Sequence, residues 1–67
     1  MSRFLLGATK IGEKCIELGL IPETTTNVED AVYYLVRAGK IRTGRFGLHL
    51  LTTPEMLAED AEESLLP

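Results

Sequence analysis

Four cations fall within nine residues of this 67-residue chain: Arg37, Lys40, Arg42 and Arg45. Basic side chains at such density can follow a polyanion and contact successive phosphates. Tyr33 precedes Arg37 by about one helical turn, where its ring can stack or pack beside the cations. These five residues are the candidate nucleic-acid contacts. The same cluster has a second physical reading. Lys and Arg on an edge strand prevent unwanted sheet pairing, and cations near a helix C-terminus are favoured by the helix dipole whatever the function.

The remaining reactive residue types are sparse. Cys15 is the single cysteine and His49 the single histidine. Neither an internal disulfide nor a four-ligand structural zinc site can be built from that pair. Cys15 falls on an apolar helical stripe, which suits a small buried hydrophobe better than a reactive thiol. His49 alternates outward from Phe46, Leu48 and Leu50, the pattern of a surface residue on a strand. Glu55, Glu59, Asp60, Glu62 and Glu63 follow helical spacing without a glycine-kinked loop between them, the pattern of a solvated face and not of a calcium loop. No nucleophile has a base within reach, and no glycine-rich phosphate loop is present. The chain is therefore expected to be non-enzymatic, with no cofactor and no metal.

The elements that position these residues follow from periodicity. Leu5, Ala8, Ile11, Cys15 and Leu18 recur at helical spacing and predict a first helix from about residue 3 to Leu18. Gly19 reads as its left-handed stop, with Leu20 folding back on the last turn. Gly7 and Gly12 each cost roughly 1 kcal/mol relative to alanine, so the first turns are expected to be frayed or closely packed. Ile21 to Thr26 form a loop, since Pro22 bars helical geometry at Ile21. Asn27 is a good N-cap for a second helix from Val28 to Ala38, ending at Gly39. Its expected inward stripe is Val28, Ala31, Val32, Leu35 and Ala38. The pattern then changes to period two. Lys40 to Arg42, a turn at Thr43–Gly44 and Arg45 to Leu50 predict a hairpin with Phe46, Leu48 and Leu50 on one side. Thr53, Pro54 and Glu55 are a helix start, and an acidic helix is expected over about 53–66, with Leu57, Ala61 and Leu65 on its apolar side.

Composition bounds the rest. The length allows one small domain, residues 1–67, whose margin of stability is thin. Hydrophobic content of 45% and a mean hydropathy of +0.08 belong to a folded globular chain. No apolar run approaches the length of a bilayer span, so a cytoplasmic location and no membrane partner are expected. The net charge of −3 is unevenly divided. Residues 1–46 hold all seven basic and five acidic residues, and residues 47–67 hold five acidic residues and no basic one. One face can thus be basic while the tail is acidic. Small size without a staple, together with apolar residues at both ends, predicts a homodimer with helix 1 or helix 3 at the interface.

Residues 31–57, which run Ala31-Val32-Tyr33-Tyr34-Leu35-Val36-Arg37-Ala38-Gly39-Lys40-Ile41 and on through the basic segment to Leu51-Thr52-Thr53-Pro54-Glu55-Met56-Leu57, resemble the end of a winged-helix domain. Leu35, Ala38–Gly39 and Ile41 are similar to the close of its recognition helix and the following strand start. Arg42 to Arg45 are similar to its wing, and Leu51 to Pro54 to the strand that leads into the next helix. The resemblance implies a small α+β, winged-helix-like domain in the order helix, helix, β-hairpin, helix. It also implies a small regulator that binds nucleic acid through the basic hairpin. The alternative that the residues leave open is a protein-binding module, such as a phage- or operon-encoded inhibitor or adaptor, using the acidic helix or the basic hairpin.

Overall fold

The computed structural model describes residues 4–65, with the side chain of Leu65 outside the description. The chain is α+β, with three helices and a three-stranded antiparallel sheet. In chain order these are β1 (Leu5–Leu6), α1 (Ala8–Glu17), α2 (Val28–Arg37), β2 (Gly44–Phe46), β3 (His49–Thr52) and α3 (Pro54–Leu65). The expected helix start at residue 3, its end near residue 66 and the apolar Leu66 lie outside the described residues, as does the Leu65 side chain.

The helix ends are where local chemistry places them. Gly19, at φ 84°, closes α1, with Gly19 N–H donating to Ile16 and Leu20 N–H to Cys15. Gly39, at φ 74°, closes α2 in the same way, through Val36 and Leu35. Both are the paired bonds of a Schellman ending. Asn27 Oδ1 accepts from Asp30 N–H at 3.1 Å and starts α2. Thr53 Oγ1 accepts from Met56 N–H at 3.1 Å and starts α3, with Pro54 in the first turn, where its missing N–H costs nothing.

Two expectations are corrected at the N-terminus and the hairpin. The first helix begins at Ala8, and the described residues before it are not helical. Leu5 and Leu6 form a short strand instead, and Gly7, at φ 92°, turns the chain into α1. Gly7 N–H donates to Leu50 O at 2.8 Å, which ties the turn to the sheet. The hairpin turn lies at Gly47–Leu48 and not at Thr43–Gly44, because Phe46 pairs with His49. Gly47 has φ 64° and Leu48 does not have positive φ, the requirement of a two-residue II′ turn with glycine first. The shift separates residues expected to share a face. Arg45 faces Leu50 and Phe46 faces His49, so Phe46 and Leu50 lie on opposite sides of the sheet.

The strand order is β1-β3-β2, with Leu5 opposite Thr52 and Leu6 opposite Leu51. The inner face carries Leu5, Leu50 and Thr52 against the helices. Ile11, Cys15, Val32 and Leu57 are fully buried, and Ile21, Leu35 and Ile41 complete the core. Cys15 is thus the buried hydrophobe its stripe suggested, and burial pushes its thiol pKa up to about 11. Ala38 was expected inward but is exposed, because the helix ends at Arg37 and the chain turns at Gly39. Gly12 sits where α1 crosses α2, and a Cβ there would overlap Val28 Cγ1 and lie 3.3 Å from Val32 Cγ2.

Candidate interaction surface

The candidate contacts do not form one basic hairpin. Arg37 occupies the last turn of α2 and Lys40 the turn after it, both exposed. Arg45 lies in the edge strand β2, exposed, with no other cation in either strand of the hairpin. Among the described residues, none of these three cations forms an ion pair. Tyr33 is exposed on α2 and helps line a groove of about 290 Å³ together with Leu48 and His49 of the hairpin. At the rim of that groove, Thr9 Oγ1 donates to Glu29 Oε2 at 3.2 Å, so an acid lines the groove beside Tyr33.

Arg42 has a different task. It precedes β2 and reaches across to α3. Its backbone N–H donates to Asp60 Oδ2 at 2.9 Å and its Nε donates to Oδ1 at 2.8 Å. The same guanidinium donates to Glu59 Oε1 at 3.2 Å. The hydrogen bonds to Glu59 and Asp60 raise the Arg42 pKa above its ordinary value. Asp60 is only 4% exposed, which corrects the expectation that all the acids of the last helix are solvated. A buried carboxylate requires donors, and Arg42 supplies two. Thr52 Oγ1 then donates to Arg42 O at 3.1 Å, so three elements meet at one residue. This arginine joins the hairpin base to α3, and its charge is already matched.

The sheet's outer face is the larger exposed feature, and the charge pattern gave no hint of it. Leu6, Leu51 and Gly44 lie side by side on it, as do His49 and Phe46, with Phe4 two residues before Leu6. Phe4 is 60% exposed and Phe46 is 66% exposed. Phe4, Leu6, Phe46 and Leu51 line an open groove of about 410 Å³. Leu48, at the hairpin tip, is 93% exposed. The signal available in sequence was the Gly47–Leu48 pair, a glycine-first turn, which would have put Phe46 and Leu51 on one face. His49 is exposed, as expected of a surface residue, but it shares this face with Phe46 instead of alternating away from it.

Among the described residues, no cluster of three or more His, Cys, Asp or Glu could hold a metal ion, and no helix is long and apolar enough to cross a membrane. No family model, curated protein or solved structure matches the chain. What fold and surface define is a small α+β protein with an uncharged apolar sheet face and the exposed cations Arg37, Lys40 and Arg45, none of which forms an ion pair among the described residues.

Proposed function

We propose that this chain is a protein-interaction module that docks its partner on the outer face of the sheet. The observation that carries the reading is the pair of exposed phenylalanines, Phe4 and Phe46, around an apolar groove. A phenylalanine presents roughly 200 Å² when fully exposed, so the two rings leave about 250 Å² of apolar surface in water. At about 25 cal/mol per Å², covering it is worth about 6 kcal/mol before the costs of association. For a domain of this size that is comparable with the whole stability margin. With Leu6 and Leu51 around the groove, the patch approaches the size of the largest apolar patch on a typical monomer, which is often functional.

The test compares the unmodified chain with Phe46→Asp, each immobilised and offered cell extract and labelled copies of the chain itself. Protein retained by the first and lost by the second, with unchanged circular dichroism, is the expected outcome. An identical retained set, or nothing retained by either, would overturn the reading.

A second reading, the winged-helix-like nucleic-acid binder, is favoured by one observation. Arg37, Lys40 and Arg45 are exposed and form no ion pair among the described residues. Against it stand Glu29 and Asp30, exposed in the first turn of α2, where they would face phosphates. Titration with bulk duplex DNA decides it. Salt-dependent binding that weakens by about one unit of log–log slope for each of Arg37→Ala and Arg45→Ala supports this reading. No binding at low ionic strength and tens of micromolar protein sinks it.

A further inference from the structure

We infer that the occupant of the outer sheet face is a second copy of this chain, packed face to face; this rests on the reading of that face as a docking surface. Charge is the first ground. A quarter of the residues are charged, yet the strand positions on this face are Leu6, Gly44, Phe46, His49 and Leu51, with Phe4 beside them in the groove, and none has a fixed charge. In a two-fold interface each group meets its own twin or a neighbour of its twin. A fixed charge there would meet its like across the axis. A face that selects a different protein is commonly marked by complementary charges, and this one has none to offer. An uncharged apolar face matches itself without further adjustment.

Area is the second ground. Two copies meeting here withdraw about 500 Å² of phenylalanine surface from water. Leu6, Leu51 and His49 around the groove extend the total to roughly 1,000 Å² at most. That is the low end of specific interfaces, below the ~1,600 Å² of a standard one. The structure therefore points to a dissociable dimer and not to an obligate one. The acids of α3 sit on the far side of the molecule's sheet, since α3 packs against α1, and α1 covers the inner face. Two chains of net charge −3 can then approach through their uncharged sides.

Sedimentation velocity over about 5–300 µM tests the assignment. The expected result is a mass rising from 7.4 kDa toward twice that value with concentration. Phe46→Asp and, separately, Phe4→Ser should each weaken self-association at least tenfold, and Phe46→Asp should leave the melting of the dilute monomer unchanged, because its ring is not in the core. Tyr34→Ser, on the exposed side of α2, should leave it unchanged. On dilution, ¹H–¹⁵N shifts should move at Leu6, Gly44, Phe46, His49 and Leu51. A dimer that survives Phe46→Asp, with shifts confined to α1 or α3, would overturn the inference. So would a monomer throughout. In that last case the docking reading itself stands if another protein is retained by the unmodified chain and lost by Phe46→Asp, and falls if none is.

Discussion

Replacing Gly12 with alanine sets two opposed effects against each other. In an exposed helix the change stabilises by about 1 kcal/mol, because glycine pays the larger backbone entropy. Here the added methyl would overlap Val28 Cγ1 and lie 3.3 Å from Val32 Cγ2. Ordinary carbon contacts are about 3.5–4.0 Å, so Val28 must leave its position or α2 must move off α1. Val28 is β-branched and stands in the first turn of α2, where one rotamer dominates. Turning it costs about 0.5–1.5 kcal/mol, and moving the helix opens the most extensive packing contact in the fold. Overpacking of this kind costs about 1–3 kcal/mol. The net expectation is a loss of about 1 kcal/mol where propensity alone promises a gain of the same size. In thermal unfolding that is a Tm lower by about 4–8 °C. Adding Val28→Ala should relieve the overlap, so the double variant should be more stable than the sum of the two single changes by about 1 kcal/mol. A Gly12→Ala protein that melts at or above the unmodified one would refute the close approach of α1 and α2.

Four other outcomes follow from described contacts. Cys15→Ser should destabilise by about 1–3 kcal/mol through a buried hydroxyl, and native Cys15 should resist a thiol reagent until the chain is unfolded. Because burial raises the native thiol pKa to about 11, stability from this group is intact at neutral pH and is lost as pH rises from the ordinary thiol range toward 11; Cys15→Ala should flatten that alkaline decline in a denaturant series. Asp60→Ala leaves the Arg42 N–H without its acceptor and should cost about 1–3 kcal/mol, with faster amide exchange in α3 than in α1; equal protection of the two helices would show that the Arg42 link does not hold α3 down. Gly47→Ala forces a Cβ into positive φ and should lower stability by about 1 kcal/mol in urea unfolding, whereas Leu48→Ser at the neighbouring turn position should not.

Four helix ends were legible because each is set by a local rule: Gly19 and Gly39 as left-handed stops, Asn27 and Thr53 as caps. β1 was hidden because Leu5 continues the stripe of Ala8, Ile11 and Cys15, and two residues are too few to show a period of two. The hairpin register was hard to see because Gly44 and Gly47 each allow a turn, and the glycine-first pair Gly47–Leu48 was the one cue between them. Asp60 looked solvated because its neighbours in sequence are Glu59, Glu62 and Glu63. Its burial comes from Arg42, 18 positions earlier. The four cations were visible as a cluster in sequence, yet distance along the chain says nothing about which of them a distant carboxylate will claim.

The pairing of Leu6 with Leu51 joins strands 45 positions apart, whereas β2 and β3 are joined by a two-residue turn. Loop closure makes the long-range pairing roughly 3 kcal/mol more costly than the hairpin. The hairpin and the α1–α2 pair are therefore expected to form early, and β1 to dock last. The outer groove exists only once Leu6 has come alongside Leu51, so it is finished in the final step of folding. A partner that grips Phe4 and Leu6 binds the completed chain alone, and mass action then holds down the strand most ready to fray. Occupancy of the groove should slow amide exchange at Leu6 and Gly7 more than anywhere in the helices, a coupling of assembly to the last folding step that needs no change of shape.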